Sequence, residues 1–190
     1  MGWVEVSEPY ASPPRLPEGL ALDTDTAADG ADPDPDADPI DLYRSRIERA
    51  DLSRLRIGSI RECLLVGCKL TGTDLAGAPV ADTVFENCMF TYTNLRMARL
   101  ERVRLEGCVL EEADAYEARL VDVDLGDSRL VSLDIDRVIG ERVDLRRATE
   151  LGLRAIGRLD GWLIGEHQLP AMIYALAASA GLDIERFEDP

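Results

Sequence analysis

Residues 71–100 read TGTDLAGAPVADTVFENCMFTYTNLRMARL, and a large apolar side chain returns in this stretch at every fifth position. These positions are Leu75, Val80, Phe85, Phe90, Leu95 and Leu100. The same period holds from Leu55 to Leu145, where only Ala115 and Gly140 are not large and apolar. Two residues before each of these positions stands a small or β-branched residue, with Leu133 as the one exception.

A five-residue period matches neither the 3.6 residues of a helical turn nor the two-residue alternation of a regular strand. The chain must therefore turn a corner every five residues. The units TGTDLAGAPV (71–80), TYTNLRMARL (91–100) and EEADAYEARL (111–120) resemble the A(D/N)Lxx units of the pentapeptide-repeat family. This resemblance implies an all-β solenoid, a right-handed quadrilateral β-helix with four pentapeptides in each coil and the central residue pointing inward.

Three local departures from the pattern carry their own predictions. The segment ADLSRLRI (50–57) looks like a further unit that is three residues out of register, which suggests a leading coil or cap. We expect the oversized Leu133 to fill space that the small Ala115 leaves in the core. For Gly140, which lacks a central side chain, we predict a local bulge at RVIGE (137–141).

The formal charge of −16 is unevenly distributed along the 190 residues. Residues 1–45 hold 11 acidic and 2 basic side chains, whereas residues 46–190 hold 26 acidic and 19 basic ones. Within the first part, the run DTDTAADGADPDPDADP (23–39) offers almost no apolar surface that could repay the entropy of ordering. The sequence therefore predicts a largely disordered acidic tail at 1–45, followed by a pentapeptide-repeat β-helix at 46–150.

Residues 151–190 are predicted to form a C-terminal cap. Leu169, Met172, Ile173 and Leu176 follow helical spacing, with Pro170 in the first turn, and Gly181 stands just beyond the end, so we predict a helix at about 169–180. The repeat pattern and this ending, with a Gly-Leu-Asp-Ile segment (181–184) typical of a closing strand, are similar to the quinolone-resistance, gyrase-interacting members of the family. That resemblance implies a homodimer formed through the C-terminal region.

Charge and cysteine usage exclude several classes of function. The acidic excess disfavours direct binding of nucleic acid or of an anionic membrane, since both would repel it. The four cysteines are too few for a disulfide scaffold and do not form a zinc pattern, which fits a reducing cytoplasm. Because no long apolar run occurs, we expect neither export nor insertion into a membrane.

The cysteines fall into a column at the spacing of one coil. Cys68, Cys88 and Cys108 lie twenty residues apart, and Cys63 belongs to the adjacent side. Three stacked thiols suggest a metal or redox site, but Cys is also a small hydrophobe at a position that otherwise takes Ala, Thr, Ser or Val. We interpret the column as core packing.

A second column holds Asp74, Asn94, Asp114 and Asp134. Paired carboxylates can perform acid–base chemistry, but neither a partner histidine nor a nucleophile accompanies them, so we interpret the column as a solvated face. The single histidine, His167, precedes the predicted helix and is expected at the surface or in a cap. We predict no catalytic residues, no metal and no cofactor.

The strongest candidate for a binding site is the acidic stretch 106–136, which carries a net charge of −8. Because side chains outside the core of a solenoid are polar in any case, these carboxylates form either an ordinary solvated surface or an acidic face for a basic protein partner. The candidate residues are Glu106, Glu111, Glu112, Asp114, Glu117, Asp122, Asp124, Asp127, Asp134 and Asp136.

The sequence thus predicts a non-enzymatic solenoid that binds a protein partner through its outer faces. The resemblance to quinolone-resistance members supplies the alternative, a DNA mimic that binds DNA gyrase or topoisomerase and protects it against fluoroquinolones or other gyrase poisons. Residues 53–149 carry a net charge of only −3, a poor imitation of a phosphate lattice, so the general interaction role ranks first.

Overall fold

The computed structural model describes residues 38–182, which form a parallel β-solenoid of about six coils followed by one short helix. At the strand spacing of about 4.8 Å, six coils make a rod roughly 29 Å long. The predicted fold class, a quadrilateral β-helix with a C-terminal helix, is confirmed. The predicted disordered tail lies, up to residue 37, outside the described residues, as does the closing strand from residue 183 onward.

The strands are short, as expected for a chain that turns every five residues. They are β1 (Ile40–Tyr43), β2 (Arg46–Glu48), β3 (Ile57–Arg61), β4 (Leu64–Val66), β5 (Pro79–Glu86), β6 (Met89–Thr91), β7 (Arg99–Glu106), β8 (Val109–Glu111), β9 (Ala113–Asp114), β10 (Arg119–Asp124), β11 (Arg129–Leu130), β12 (Leu133–Asp134), β13 (Ile139–Asp144), β14 (Leu153–Arg154) and β15 (Trp162–Leu163). A 3-10 turn at Glu166–Gln168 leads into helix α1 (Leu169–Ser179).

Residues twenty apart are neighbours in adjacent coils. Val80 pairs with Leu100, Leu100 with Leu120, and Leu120 with Gly140. Twenty residues at five per side give four sides, which we call faces A to D. Face A is centred on residues 60, 80, 100, 120 and 140, face B on 65 to 145, face C on 70 to 130 and face D on 75 to 135, each in steps of twenty.

A left-handed residue closes most corners. At the corner after Leu75, the amide of Ala78 donates to the carbonyl of Leu75 at 3.0 Å while Gly77 adopts a φ of +68°. This is the geometry of a type II turn, which requires a positive φ at its third residue. Met97 and Glu117 hold the equivalent position with φ of 56° and 55°, although a side chain there costs about 1–2 kcal/mol. Stacking of the coils therefore overrides local backbone preference.

The first coil has eighteen residues instead of twenty, and the last pairing, Val143 with Trp162, has a spacing of nineteen. Leu42 pairs with Ile60 and Ile47 with Leu65, a spacing of eighteen, so the solenoid already begins at β1, within the segment 1–45 that was predicted as tail. The five-residue period predicted Leu55 to be a central residue, and this is wrong. The amide of Leu55 donates to the carbonyl of Leu52, the same contact that Ala78 makes with Leu75. It therefore occupies a small-residue position, and the apparent register shift of segment 50–57 is the shortened corner between Ile57 and Ile60.

Gly140 does not mark a bulge, which corrects the prediction. It stays in register with Leu120, and a Cβ at this position would lie only 2.1 Å from Nε1 of Trp162. The indole of the final coil therefore occupies the space that a central side chain fills elsewhere. The physical reason for the glycine is the ring packed against it.

The core is a filled axis of central side chains. Phe85 and Phe90 pack edge to face, with ring centroids 5.2 Å apart. Leu133 pairs with Ala113, and both Leu133 and Ala115 line an apolar axial cavity of about 40 Å³. Leu133 and Ala115 thus border the same axial space, part of which stays empty, so the expectation that Leu133 fills it remains a prediction.

Helix α1 lies within the predicted range 169–180 and covers the end of the rod with Met172 and Ala177, while Pro170 stands in its first turn. No helix among residues 38–182 is long and apolar enough to cross a membrane.

The left-handed corners predict a contrast between two glycines. Gly77→Ala should destabilise the protein by about 1 kcal/mol, because alanine is strained at positive φ although nothing lies within 4 Å of the new Cβ. Gly157→Ala is the matched control, since the space there is equally open and φ is not positive. Chemical denaturation should show it neutral or stabilised by about 0.4–1 kcal/mol. Equal effects at both sites would contradict the assignment of strain.

The contact between Gly140 and Trp162 predicts a coupled pair. Gly140→Ala should cost about 1–3 kcal/mol because the new methyl group overlaps the indole. In a Trp162→Ala background the same change should cost much less, since the space is then open. A double-mutant cycle measured by denaturation tests this, and purely additive effects would show that the indole does not explain the glycine.

Candidate interaction surface

The ten predicted acidic residues do not form one face. Neighbours in sequence pass around the rod, so a stretch of 31 residues covers one and a half coils. Glu106 and Asp124 lie on face B, Glu111 on face C, and Asp114, Asp134 and Asp136 on face D, while Glu112, Glu117, Asp122 and Asp127 occupy the four different corners.

Arginines from neighbouring coils pair with seven of these ten carboxylates. Arg147 is the most connected, with 3.2 Å to Glu106, 3.6 Å to Asp124 and 3.8 Å to Asp127. The other four pairs are Glu112 with Arg154 at 3.2 Å, Asp114 with Arg96 at 2.8 Å, Glu117 with Arg137 at 3.2 Å and Asp122 with Arg142 at 2.7 Å. The acidic stretch is therefore largely neutralised by contacts that a linear reading does not reveal.

One corner carries a ladder of such pairs along the rod. Arg44 pairs with Glu62, Arg102 contacts both carboxylate oxygens of Asp82, and the same two-pronged contact joins Arg142 to Asp122. The hydrogen bonds from Arg102 hold the pKa of Asp82 below its ordinary value, and those from Arg142 do so for Asp122.

Charge balance extends to every side of the rod. Counted over residues 40–157, with each corner residue assigned to the face that precedes it, no face carries an excess of more than one carboxylate over its basic residues. A duplex presents an unbroken series of phosphates, which this surface does not reproduce.

The column of Asp74, Asn94, Asp114 and Asp134 has a structural role that the sequence interpretation missed. Each side-chain oxygen accepts a hydrogen bond from the amide two residues onward, at 2.9–3.2 Å, as in an Asx turn. The amide of Asn94 also donates to Asp74 at 2.8 Å. These side chains fix the corners of face D.

The thiol column packs in the core, as interpreted. Cys68, Cys88 and Cys108 are fully buried, and their thiols donate to backbone carbonyls of the preceding coil at 3.4–3.5 Å. Ser128 makes the equivalent contact in the next coil, with the carbonyl of Leu105 at 2.9 Å. Burial raises the pKa of the remaining thiol, Cys63, which favours the unreactive protonated form.

Gln168 ends this column, and sequence reasoning missed it because glutamine is not one of the small residues that the preceding positions of the column hold. Its side-chain amide donates to the carbonyls of Leu145 and Ala148 at 2.6 and 2.7 Å, and its oxygen accepts from the amide of Gly165 at 2.7 Å. The buried glutamine thereby satisfies backbone groups that the missing next coil would have paired. His167 beside it is exposed, and within residues 38–182 no group of three or more potential ligands could hold a metal ion.

Face C carries an uncharged strip that a linear search for motifs does not find. Met89 pairs with Val109 in adjacent strands, and Tyr92 stands at the neighbouring corner. Met89 and Tyr92 are 44% and 67% exposed, and Val131 extends the strip at 36%. We call Met89, Tyr92, Val109 and Val131 the apolar strip. Within their columns, Lys69 stands beside Met89 and Arg129 beside Val109, and Glu111 precedes Val131 by one coil.

Three of the predicted acidic residues make no ion pair to any described residue. Glu111 lies two residues after Val109 in β8, and Asp134 and Asp136 lie on the adjoining face D. They are the part of the predicted acidic face that retains uncompensated negative charge.

Helix α1 presents a second apolar area. The helix contains no charged residue, and Leu169, Ile173 and Tyr174 are 45%, 53% and 51% exposed. A helix that is apolar on all sides is usually covered on all sides.

Comparison with known proteins identifies the repeat. Residues 58–135 match the family model described as a pentapeptide repeat region. The fluoroquinolone resistance protein QnrB1 is 11% identical, with 72% of this chain and 89% of that one covered and a TM-score of 0.24.

Two cyanobacterial pentapeptide-repeat structures also match. Rfr23 from Cyanothece 51142 is 15% identical, with coverages of 66% and 88% and a TM-score of 0.26. HetL from Nostoc sp. strain PCC 7120 is 22% identical, with coverages of 65% and 60% and a TM-score of 0.27. The search of curated proteins gave no match.

The ion-pair ladder predicts a pH-dependent stability difference. Because the folded-state pKa of Asp82 is lowered, its pair with Arg102 stabilises the protein above the unfolded pKa of about 3.9 and is lost as pH falls through the folded value. Asp82→Asn should therefore be less stable than the native chain at neutral pH, and the gap should close below about pH 4. Denaturation across this range tests it. Glu86→Gln, at a carboxylate with no ion pair to the described residues, is the control and should show no such closing gap.

Proposed function

Because the chain belongs to the pentapeptide-repeat family through residues 58–135, we propose that it is a protein-interaction solenoid that binds a protein partner through the apolar strip on face C. The strip supports this proposal because it is an uncharged area on a rod whose other outward positions are mostly charged and paired. Exposed apolar areas with polar rims are typical of protein-binding sites.

A non-enzymatic role is part of the proposal. Pentapeptide-repeat solenoids are generally non-enzymatic. The axial cavity of about 40 Å³ is lined only by apolar side chains, whereas catalytic pockets are larger and hold convergent polar groups. A cytoplasmic location fits the four free, buried thiols.

The flanking charge indicates the chemistry of the partner. The charges beside the strip are mixed, because Lys69 and Arg129 stand in register with Met89 and Val109, but Arg129 is paired with Glu150. The nearby carboxylates without an ion pair to the described residues are Glu111 and, on the adjoining face D, Asp134 and Asp136, and we expect them to favour a partner that presents basic side chains beside an apolar one. Such charges contribute mainly to orientation and association rate, while buried apolar area supplies most of the affinity. The proposed site thus keeps three residues of the predicted acidic face.

The alternative function is that of a DNA mimic that binds DNA gyrase or topoisomerase. DNA mimicry requires an extended anionic surface. The pairing of seven acidic residues with arginine reduces the negative charge of this surface and therefore weakens the case for the alternative. A homodimer through helix α1 is compatible with both functions, because a second copy could cover Leu169, Ile173 and Tyr174. Light scattering of the full chain measures this oligomeric state.

Site-specific photocrosslinking tests the proposed surface. A benzophenone amino acid in place of Tyr92 should yield a discrete protein adduct in cells, whereas the same group in place of Arg61, which is exposed on face A, should not. Val109→Glu should reduce the Tyr92 adduct because it places a charge at the centre of the strip. Thermal melting of each variant verifies that the fold is retained.

Two results would contradict the proposal. Equal adducts from faces A and C would show that no surface is preferred. Inhibition of gyrase supercoiling that persists in the Val109→Glu variant would favour the DNA-mimic alternative, because such mimicry does not depend on the apolar strip.

A further inference from the structure

Two arginines on face A stand directly opposite each other without a carboxylate partner. Arg99 in β7 and Arg119 in β10 are paired in register, and both are exposed. Neither side chain makes a hydrogen bond or ion pair with any residue of the range 38–182, although both backbone amides pair within the sheet. Their neighbours in the same column are uncharged, Pro79 on one side and Ile139 on the other.

The nearby carboxylates of face A are engaged elsewhere. Glu101 pairs with Arg102, and Glu141 and Asp122 pair with Arg142. Like charges directly opposite each other in adjacent strands, about 4.8 Å apart, are destabilising. The arginines border a shallow depression that also includes Leu100, Glu101 and Val121. An anion bound there would remove the repulsion.

The chain itself contains the complementary charge. Residues 23–37 hold six aspartates and no basic residue, and they directly precede the first strand. That strand, β1, lies on face A, because Leu42 pairs with Ile60. Coils four and five, which carry the two arginines, follow at about 14–19 Å along the same face at 4.8 Å per coil. The average end-to-end distance of a random coil of fifteen residues is roughly 19–23 Å, so a segment of this length can reach the two arginines.

We propose that the Asp-rich segment 23–37 folds back along face A and places its carboxylates on Arg99 and Arg119. Tethering gives the segment a high effective concentration at this site. Face A is opposite face C, so this contact is independent of the proposed partner surface.

Paramagnetic relaxation in the full-length chain tests the contact. Ala31→Cys introduces an accessible thiol for a nitroxide label, since the four native thiols are buried. At low ionic strength the amides of Arg99 and Val121 on face A should lose most of their signal intensity, whereas those of Met89 and Thr91 on face C should keep it. Molar salt should restore the lost signals, because it screens exposed charges beyond about 3 Å.

The double substitution Arg99→Gln/Arg119→Gln should abolish the effect of the label. Its matched control, Lys69→Gln/Arg129→Gln, removes two positive charges from face C and should leave the effect intact. Equal thermal midpoints of the two variants show that both are folded. Signal loss that survives in the first variant, or that appears equally on face C, would overturn the proposal.

A second arm distinguishes the segment from a free anion. Inorganic phosphate at millimolar concentration should compete with the segment and restore the signals of Arg99 and Val121 in the labelled native chain. If phosphate shifts these amides while the label causes no signal loss, the site binds free oxyanions only and the proposal is wrong. Asn in place of Asp32, Asp34 and Asp36 should weaken the signal loss, and an unchanged loss would likewise contradict it.

Discussion

The left-handed corner residue at every fifth position is the constraint on which the rest of the structure depends. It lets the chain turn after each short side, so that twenty residues close one coil and each residue stacks on the one twenty positions away. Many corners use residues other than glycine, such as Met97 and Glu117, at a local cost of about 1–2 kcal/mol. Only the cooperative pairing of successive coils and the filled axis can offset that cost at so many positions.

This geometry decides which charges meet. Sequence neighbours separate onto different faces, while residues one coil apart come into contact. Asp122 therefore pairs with Arg142 and Asp82 with Arg102, although a linear window around either aspartate looks acidic or neutral. The sequence analysis interpreted the stretch 106–136 as an acidic face because most of its arginine partners lie in later coils. Arg137 and Arg154 are examples. In a solenoid, charge must be counted along columns.

The five-residue period was sufficient to predict the fold and the packing role of the cysteines, because both follow from which positions point inward. It could not predict features that break the period. Trp162 lies 22 residues after Gly140, and Gln168 ends the thiol column with a side chain unlike any other in it. The shortened first coil made the period fail in the same way. Because this coil has two residues fewer than twenty, Leu55 occupies a small-residue position instead of a central one. The apolar strip could be recognised only once the strand pairing between adjacent coils was known.

Counting charges along the columns of stacked residues also changes how the net charge of the chain is interpreted. On the rod, an arginine from a neighbouring coil balances most carboxylates, so the acidic character of the chain resides mainly in its first 45 residues. Among the features of residues 38–182 that escape this balance are the uncharged strip around Met89 and Tyr92 on face C and the opposed pair Arg99 and Arg119 on face A. Ion pairs between coils are satisfied internally and give a partner little to recognise, because binding there would have to break them. The sites that remain open to another molecule are therefore the places where the pairing of columns fails, and those places lie on opposite sides of the rod.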